Sequence, residues 1–250
     1  MRIAHIAAPA AFGGLERVLS GLLPSLASRG HEVLLIAVLS PNVAPPDFLA
    51  ALGRSGVRLE VHHLGDRAYL GERRLVRRLL REARSEVVHT HGYRPDFLHH
   101  GVAHGLRLPA VSTAHGFASG KPGLSVQERL QAFAWRRFDR VVAVSAPLEA
   151  HLLSLGVPRA RLTRIRNGFV ASPDPLGRAE ARAALGLPVD APVAGWVGRM
   201  STEKDPLLAV EALANAAPPT AHLCFVGDGP LRAPLLERAA ALGVADRVHA

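Results

Sequence analysis

A short segment late in the chain has the residue types of a phosphate site. Residues 195–206 read G-W-V-G-R-M-S-T-E-K-D-P. The apolar run from Val193 to Val197 predicts a strand that ends at Gly198. Arg199 and Lys204 follow, just before a predicted helix. A glycine admits close backbone approach, a helix N-terminus favours an anion, and cations neutralise its charge. The alternative is an ordinary strand-to-helix turn with two solvated cations.

Gly13 and Gly14 lie between the first predicted strand and its helix. Ligands bind at this carboxyl end of open parallel sheets, so both glycines are candidates for a phosphate and acceptor loop. A tight turn that needs a positive φ is the alternative. The sequence has no G-x-G-x-x-G here, and nowhere G-x-x-x-x-G-K-[ST], G-x-S-x-G or D-x-D. The absence of these motifs disfavours a dinucleotide-binding protein, a P-loop NTPase and an α/β-hydrolase. Without D-x-D, we expect no metal ion held by carboxylates.

Gly227 and Gly229 follow the second predicted strand of the second domain, in the segment G-D-G-P. Pro230 suits a first helical position, and Asp228 suits a capping role. In a parallel sheet this turn would lie beside the Gly198 loop, which makes it a candidate part of a donor site. A plain strand-to-helix turn is the alternative.

Histidines end two predicted strands. His89 and His91 have the i, i+2 spacing that places both imidazoles on one face of a strand. No third ligand stands at a recognisable spacing, so a polar strand end is favoured over a metal site. His115, followed by Gly116, ends the fifth strand, where it can donate to a sugar hydroxyl or a phosphate.

The segment 70–84 is predicted to form a basic amphipathic helix. Its arginines are Arg73, Arg74, Arg77, Arg78, Arg81 and Arg84, and its apolar stripe is Leu75, Val76, Leu79, Leu80 and Ala83. Such a helix can lie on an anionic membrane, where each basic residue contributes roughly 1 kcal/mol. Alternatively, it packs the stripe on the sheet and solvates its arginines.

The composition is that of a globular protein, with 48% hydrophobic and 20% charged residues in 250. The net charge of +9 comes almost wholly from arginine, since Lys121 and Lys204 are the only lysines. Aromatic residues make up only 5%, which disfavours nucleic acid as a partner. Cys224 is the single cysteine and is expected in a core. The first residues have no long apolar run, so we expect a cytoplasmic protein.

Strands and helices alternate along the chain, which predicts parallel β-α-β units. The predicted strands are 3–8, 32–39, 57–63, 86–91, 110–114, 140–145, 162–165, 193–197, 222–226 and 247 onward. The predicted helices are 15–30, 47–55, 70–84, 95–105, 125–138, 147–155, 178–185, 206–216 and 230–242. A break near Phe169 divides the chain into domains 1–168 and 169–250. The second domain begins its third strand as the chain ends, so we expect a segment of a longer protein.

Eight motifs in this order resemble retaining glycosyltransferases of family 4. They are G-G-L-E-R-V-L (13–19), S-R-G-H-E-V (28–33), E-V-V-H-T-H (86–91), S-T-A-H-G (112–116), F-D-R-V-V-A-V-S (138–145), I-R-N-G (165–168), V-G-R-M-S-T-E-K-D (197–205) and F-V-G-D-G-P-L-R (225–232). The resemblance implies the α/β GT-B fold, with two Rossmann-like doubly wound parallel-sheet domains, the second incomplete.

The resemblance implies transfer of a sugar from a UDP-, GDP- or ADP-sugar to a hydroxyl with retention, without metal or cofactor. Arg199 and Lys204 would hold the donor diphosphate, His115 would lie near the transferred sugar, and Gly13 and Gly14 would flank phosphates and acceptor. The family's two glutamates, seven residues apart and followed by a glycine-rich stretch, would come later than this chain extends. The resemblance also implies a role in the synthesis of cell-envelope glycolipids, polysaccharides or glycoconjugates. The protein would then work at the inner face of the membrane, and its acceptor could be a lipid-linked alcohol.

Two alternatives stay open. A sugar-nucleotide epimerase can share the same architecture, and it would turn over its substrate without an acceptor. A non-catalytic module that binds nucleotide-sugars or a membrane surface would show binding and no turnover.

Overall fold

The computed structural model describes residues 1–9, 13–65, 67–116, 126–168, 174–215 and 218–250, without the side chains of 127 and 128. The chain forms two compact units, Met1–Val170 and Ala171–Ala250. The domain boundary expected near Phe169 lies outside the described residues. Within the described ranges, no helix has the length and apolar character needed to cross a membrane.

Unit 1 is built on a seven-stranded, fully parallel sheet. Its strands are β1 (Arg2–Ala7), β2 (Glu32–Leu39), β3 (Arg58–His63), β4 (Val87–His91), β5 (Ala110–Ala114), β6 (Arg140–Ala143) and β7 (Leu162–Arg164). Their order is β3-β2-β1-β4-β5-β6-β7. The chain therefore reverses direction across the sheet between β1 and β4, which is where such sheets open a crevice at their carboxyl ends.

Helices pack on both faces of the unit 1 sheet. They are α1 (Gly14–Ser28), α2 (Asp47–Gly53), α3 (Tyr69–Glu82), α4 (Tyr93–Gly105), α5 (Val126–Trp135) and α6 (Ala146–Ser154). The apolar residues of α1 and α2 pack with Leu35 and Ala37 of β2. Those of α3 to α6 form a second core with Ala4 and Ile6, which lie on the opposite face of the sheet. Helices α1 and α2 therefore pack on one face of the sheet, and α3 to α6 pack on the other.

Unit 2 has a smaller parallel sheet in the order β10-β9-β8. Its elements are α7 (Arg178–Ala184), β8 (Val193–Val197), α8 (Pro206–Asn215), β9 (His222–Val226), α9 (Arg232–Ala241) and β10 (Val248–His249). Leu223 and Phe225 of β9 pack under Val210 of α8 and Leu235 of α9. The predicted alternation of parallel strands and helices is thus confirmed in both units.

Several predicted helix ends are wrong by a few residues. Helix α4 begins at Tyr93 instead of Pro95, because Gly92 with φ +90° turns the chain directly from β4 into the helix. Helix α5 ends at Trp135 instead of Phe138. The start of that helix, predicted at Ser125, lies outside the described residues.

The predicted start of the last helix at Pro230 is also wrong. Helix α9 begins at Arg232, with Leu231 in the capping position and no side-chain cap. The Asp228 carboxylate accepts a hydrogen bond from the N–H of Gly229 at 2.7 Å. Asp228 therefore stabilises the loop and not the helix end.

Candidate functional site

Helix α1 begins on the carboxyl side of β1. Gly13 precedes α1 with φ −148°, and Gly14 is the first helical residue. Neither glycine has a positive φ, so the tight-turn explanation for this pair does not apply. A Cβ atom on Gly14 would have no neighbour within 4 Å, and both residues are exposed. The two exposed glycines thus stand at the N-terminal end of a helix, which favours an anion.

A histidine cluster lies on the α1 face of the sheet. His89 and His91 of β4 lie on one face, as their spacing predicts. The expectation that they have no third partner is wrong, because β1 pairs with β4 and brings His5 directly opposite His89. One ring nitrogen from each of these three residues lies within 4.8 Å of the other two. His115 from the end of β5 joins the cluster through His91.

Three of these imidazoles form a hydrogen-bonded chain. Nδ1 of His5 lies 3.0 Å from Nε2 of His91. Nδ1 of His91 lies 3.2 Å from Nε2 of His115. His89 stacks on His91 with ring centroids 4.2 Å apart, but its own Nε2 bonds to the hydroxyl of Thr113 at 2.8 Å. His89 is therefore a neighbour of the chain and not a member.

Burial keeps these rings neutral. His5 and His91 are almost wholly inaccessible, and their pKa values lie well below the ordinary 6.5, first because of burial and then because of neighbouring histidines. Burial also lowers the pKa values of His89 and His115 to about 4. At neutral pH each ring therefore carries a single N–H, which acts as a donor, while the other nitrogen acts as an acceptor.

A buried carboxylate holds the same strand ends from the opposite face. Asp96 of α4 is fully buried and accepts hydrogen bonds from Thr90 at 2.6 Å and Ser112 at 2.8 Å. Its second oxygen accepts from Gln131 at 2.8 Å and from the Trp135 indole at 3.1 Å. Burial raises the pKa of Asp96 to about 6, against the opposing effect of these four donors. Thr90 lies between the two β4 histidines, so the network fixes the strand that carries them.

The uncovered part of the α1 face forms a cleft of about 380 Å³. Its walls are Val18, Gly21, Leu22 and Ser25 of α1, the strand residues His89, Thr113, Val142 and Val144, and residues Ile165, Arg166, Asn167 and Gly168 after β7. The lining is mainly apolar, and His89 and Thr113 connect it to the histidine cluster.

In unit 2, the loop between β8 and α8 has the arrangement that its sequence predicts. Arg199 and Lys204 are both exposed, and helix α8 begins at Pro206. Across the described part of the chain, neither cation takes part in an ion pair. Buried Met200 and Ser201 anchor the loop between them. The two charges are thus held at the surface on a fixed backbone, within electrostatic range of the Glu203 carboxylate.

The glycines of the next loop serve backbone packing. Gly227 and Gly229 have φ values of +142° and +157°. A Cβ atom at Gly227 would overlap the carbonyl oxygen of Gly198, and one at Gly229 would lie 2.5 Å from the carbonyl oxygen of Met200. The N–H of Met200 donates to the carbonyl of Asp228 at 2.9 Å. The turn lies beside the Gly198 loop, as predicted, and its glycines are explained by this contact.

The arginines of α3 surround a helix whose apolar stripe is already buried. Val76, Leu79 and Leu80 belong to the core under the sheet, so the stripe is not free to enter a membrane. Arg73 donates to the carbonyl of Leu98 at 3.1 Å. The remaining arginines predicted for a membrane surface are exposed: Arg74, Arg77, Arg78 and Arg81. Only the electrostatic part of the membrane hypothesis is compatible with this packing.

Two glycosyltransferase family models match most of the chain. The family model for Glycosyltransferase Family 4 matches residues 12–172, and the model for Glycosyl transferases group 1 matches residues 177–250. The chain is 30% identical over 241 residues to a GDP-mannose-dependent alpha-mannosyltransferase of Mycobacterium tuberculosis, covering 89% of this chain and 61% of that protein. A protein of the same name from Mycolicibacterium smegmatis is 33% identical over 241 residues, covering 86% and 60%. The chain thus spans about three fifths of the length of both relatives.

Structural comparison shows the fold. HepE of Anabaena, solved in complex with UDP and glucose, has a TM-score of 0.82 to this chain at 21% identity, covering 99% of this chain and 68% of that one. The two parallel-sheet units are therefore the Rossmann-like domains of the GT-B fold, as the resemblance implied.

Proposed function

Because the chain belongs to glycosyltransferase family 4, we propose that it acts in the transfer of a sugar from a nucleotide-activated donor to a hydroxyl group, with retained anomeric configuration and without a metal ion. The observation that carries this proposal is the Gly198 loop of unit 2. Its two cations, Arg199 and Lys204, stand exposed and without ion pairs among the described residues, in front of a helix N-terminus.

These cations would act on the leaving diphosphate. As the glycosidic bond breaks, negative charge grows on the diphosphate oxygen that leaves. Cations that are already in place stabilise that charge more in the transition state than in the ground state, which accelerates the reaction. Two side-chain cations would thereby supply what a divalent metal supplies in enzymes with a carboxylate-held ion.

We propose GDP-mannose as the first donor to test, since both mannosyltransferase relatives are named for it. In unit 1, His115 would form a hydrogen bond to the transferred sugar, and Gly13 and Gly14 would contact phosphates or the acceptor. The acceptor would be a hydroxyl compound of the cell envelope, lipid-linked alcohols included.

Calorimetric binding to GDP-mannose, UDP-glucose and ADP-glucose tests the donor proposal. Removing either cation, by Arg199→Ala or Lys204→Ala, should weaken binding about tenfold to a hundredfold, because hydrogen bonds to charged groups contribute about 1.5–3 kcal/mol. Arg178→Ala is the matched control, because Arg178 is an exposed arginine of α7 in the same unit. Undiminished affinity in the Arg199→Ala, Lys204→Ala double variant, or an equal loss in Arg178→Ala, would overturn the assignment.

Product analysis tests the reaction with the 250-residue chain. Transfer to an acceptor alcohol in the presence of a chelator, with the anomeric configuration read by NMR, is the expected result. An altered sugar-nucleotide without an acceptor would indicate an epimerase, and binding without turnover would indicate a binding module. Loss of transfer on chelation that added metal restores would refute metal independence.

We also propose that the exposed arginines of α3 attract unit 1 to an anionic membrane surface, which would place the protein peripherally at the inner face of the membrane. Each arginine near the surface contributes about 1 kcal/mol. Changing Arg74, Arg78 and Arg81 to Glu should therefore abolish cosedimentation with phosphatidylserine vesicles. Changing Arg29 and Arg54, which are exposed elsewhere in unit 1, to Glu is the control. Equal losses in both sets would indicate net charge alone and not a surface on α3.

A further inference from the structure

Another cavity of unit 1 opens at the amino edge of the sheet, away from the strand ends that carry the histidines. It has a volume of about 350 Å³, and its walls include Ala110, which begins β5, and Asp139, which directly precedes β6. His115 follows the other end of β5, so the cavity and the histidine cluster lie at opposite edges of the sheet. Small-molecule pockets have volumes of about 300–1,000 Å³, so this cavity is large enough for a ligand.

Two exposed arginines line this cavity, and hydrogen bonds anchor both of their guanidinium groups. Nη1 of Arg161 donates to the carbonyl of Arg136 at 3.0 Å. Nη1 of Arg137 donates to the carbonyl of Phe133 at 3.1 Å, and the guanidinium carbon lies 3.4 Å from the centroid of that ring. A guanidinium has five N–H donors, and these bonds use one nitrogen of each group. Further donors therefore remain for a ligand.

Helix α3 brings more positive charge to the same wall, because glycines of α4 leave room for its arginines. A Cβ atom on Gly101 would lie 3.4 Å from Nη2 of Arg73, and one on Gly105 would lie 3.3 Å from Nη2 of Arg77. Gly101 and His100 both line the cavity. Burial has the largest effect on the pKa of His100 and lowers it, and the charges of Arg137 and Arg73 lower it further. The electric field of these arginines therefore reaches the cavity wall.

One carboxylate in the lining opposes this charge. Oδ2 of Asp139 accepts a hydrogen bond from the N–H of Ala110 at 2.9 Å, so the backbone holds the carboxylate in place. Over the described ranges, Asp139 forms no ion pair, and neither do Arg137 and Arg161. An anion that binds the two arginines thus has no internal ion pair to break. Phosphate suits them, because guanidinium groups donate in a fork that matches its oxygens.

We propose that this cavity binds the phosphate group of an anionic ligand, at a site separate from the donor diphosphate. Arg137 and Arg161 would donate to the phosphate oxygens, and Arg73 would add electrostatic attraction from behind the wall. The headgroup of an anionic lipid and a soluble phosphate ester offer the same chemistry. The lipid source rests on the membrane attraction proposed for α3, which packs on the same face of the sheet as α4, whereas the phosphate site does not.

Calorimetric titration with glycerol phosphate tests the site. The Arg199→Ala, Lys204→Ala background is used throughout, so that the cations of unit 2 cannot account for the binding. The cavity variant, Arg137→Gln with Arg161→Gln, should bind about tenfold more weakly or less, as expected for lost hydrogen bonds to a charged group. Circular dichroism confirms that each variant is folded.

Two further variants make the titration specific. The control variant, Arg29→Gln with Arg129→Gln, loses the same charge at exposed arginines outside the cavity and should bind as its parent does. Asp139→Asn removes the opposing charge and keeps an oxygen that can accept from the N–H of Ala110. It should therefore strengthen binding, by about twofold to fivefold.

Cosedimentation separates the two sources of the phosphate. Phosphatidylcholine vesicles with phosphatidic acid are compared with the same vesicles without it. Weaker binding of the cavity variant to the phosphatidic acid vesicles would support the site and assign it to a lipid headgroup. Equal vesicle binding, together with a loss of glycerol phosphate binding in the cavity variant, would support the site and assign it to a soluble ester.

Three results would overturn the proposal. The first is a cavity variant that matches its parent with both glycerol phosphate and vesicles, the second is an equal loss in the control variant, and the third is weaker binding in a folded Asp139→Asn variant. The membrane proposal fails separately if changing Arg74, Arg78 and Arg81 to Glu leaves vesicle binding intact. Glycerol phosphate binding that is lost in the cavity variant would still support the site in that case.

Discussion

Replacing Asp96 by asparagine should raise the stability of unit 1 at neutral pH. Asp96 is fully buried, and the pKa of its carboxyl is raised from 3.8 to about 6. Because the folded-state pKa lies above the unfolded one, this group lowers stability progressively as the pH rises from 3.8 to about 6, and it is neutral in effect below pH 3.8. The shift of about 2 pH units corresponds to a cost of about 3 kcal/mol above pH 7 and about half of that at pH 5.

Asparagine fits the network because its neighbours can adapt. Its amide oxygen can accept from Gln131 and Trp135, as the carboxylate does. Its NH2 group can donate to the hydroxyls of Thr90 and Ser112, which rotate to accept. Asp96→Leu is the contrasting variant, since it removes the acceptor of the Gln131 amide, whereas the Trp135 indole keeps the Ser112 hydroxyl at 3.0 Å. It should destabilise unit 1 by about 1–3 kcal/mol for the donor that is left unpaired.

Urea unfolding followed by the fluorescence of Trp135 measures the effect. Trp196 is the other tryptophan and belongs to unit 2, so a Trp196→Phe background limits the signal to unit 1. The difference in unfolding free energy between Asp96→Asn and its parent should grow by about 1.4 kcal/mol from pH 5 to pH 7.5. Taking the difference cancels the contribution of the histidines. A difference that stays constant over this range would refute a raised pKa at Asp96.

Two further predictions concern the candidate sites. The pKa values of His89 and His115 are lowered to about 4. Because the unfolded rings take up protons more readily than the folded ones, the stability that these rings contribute is present above pH 6.5 and is lost as the pH falls. The free energy of unfolding of unit 1 should decrease by about 2 kcal/mol for each ring between pH 7 and pH 5. An equal free energy of unfolding at both pH values would contradict this. Gly227→Ala should destabilise unit 2, because a Cβ atom there overlaps the carbonyl of Gly198, whereas Gly14→Ala meets open space and should preserve or slightly raise the stability of unit 1. Thermal unfolding compares the two, and equal melting-temperature losses would show that the packing argument is wrong. If the Gly14→Ala variant is stable but binds its ligand less tightly, the loss shows that the added methyl group interferes with the ligand and not with folding.

The sequence alone was sufficient for the features that depend on near neighbours. Apolar runs of strand length and helical spacing between them predicted the parallel β-α-β order, since these periodicities reflect local geometry. The Gly198 loop was predicted for the same reason, because strand end, glycine, cations and helix start are contiguous in the chain. Turn details were less predictable: the start of α9 at Arg232 depends on how its loop packs against Met200.

The tertiary structure decided which distant residues meet. His5 lies 86 positions from His91, and only the order of the strands in the sheet brings them to 3.0 Å. Asp96 likewise gathers donors from β4, β5 and α5, and nothing in the spacing of those residues predicts it. Burial then shifts their pKa values, and burial is a property of the whole packed unit. The residue types that can do chemistry were visible in the sequence, whereas their protonation and their partners follow from the sheet that surrounds them.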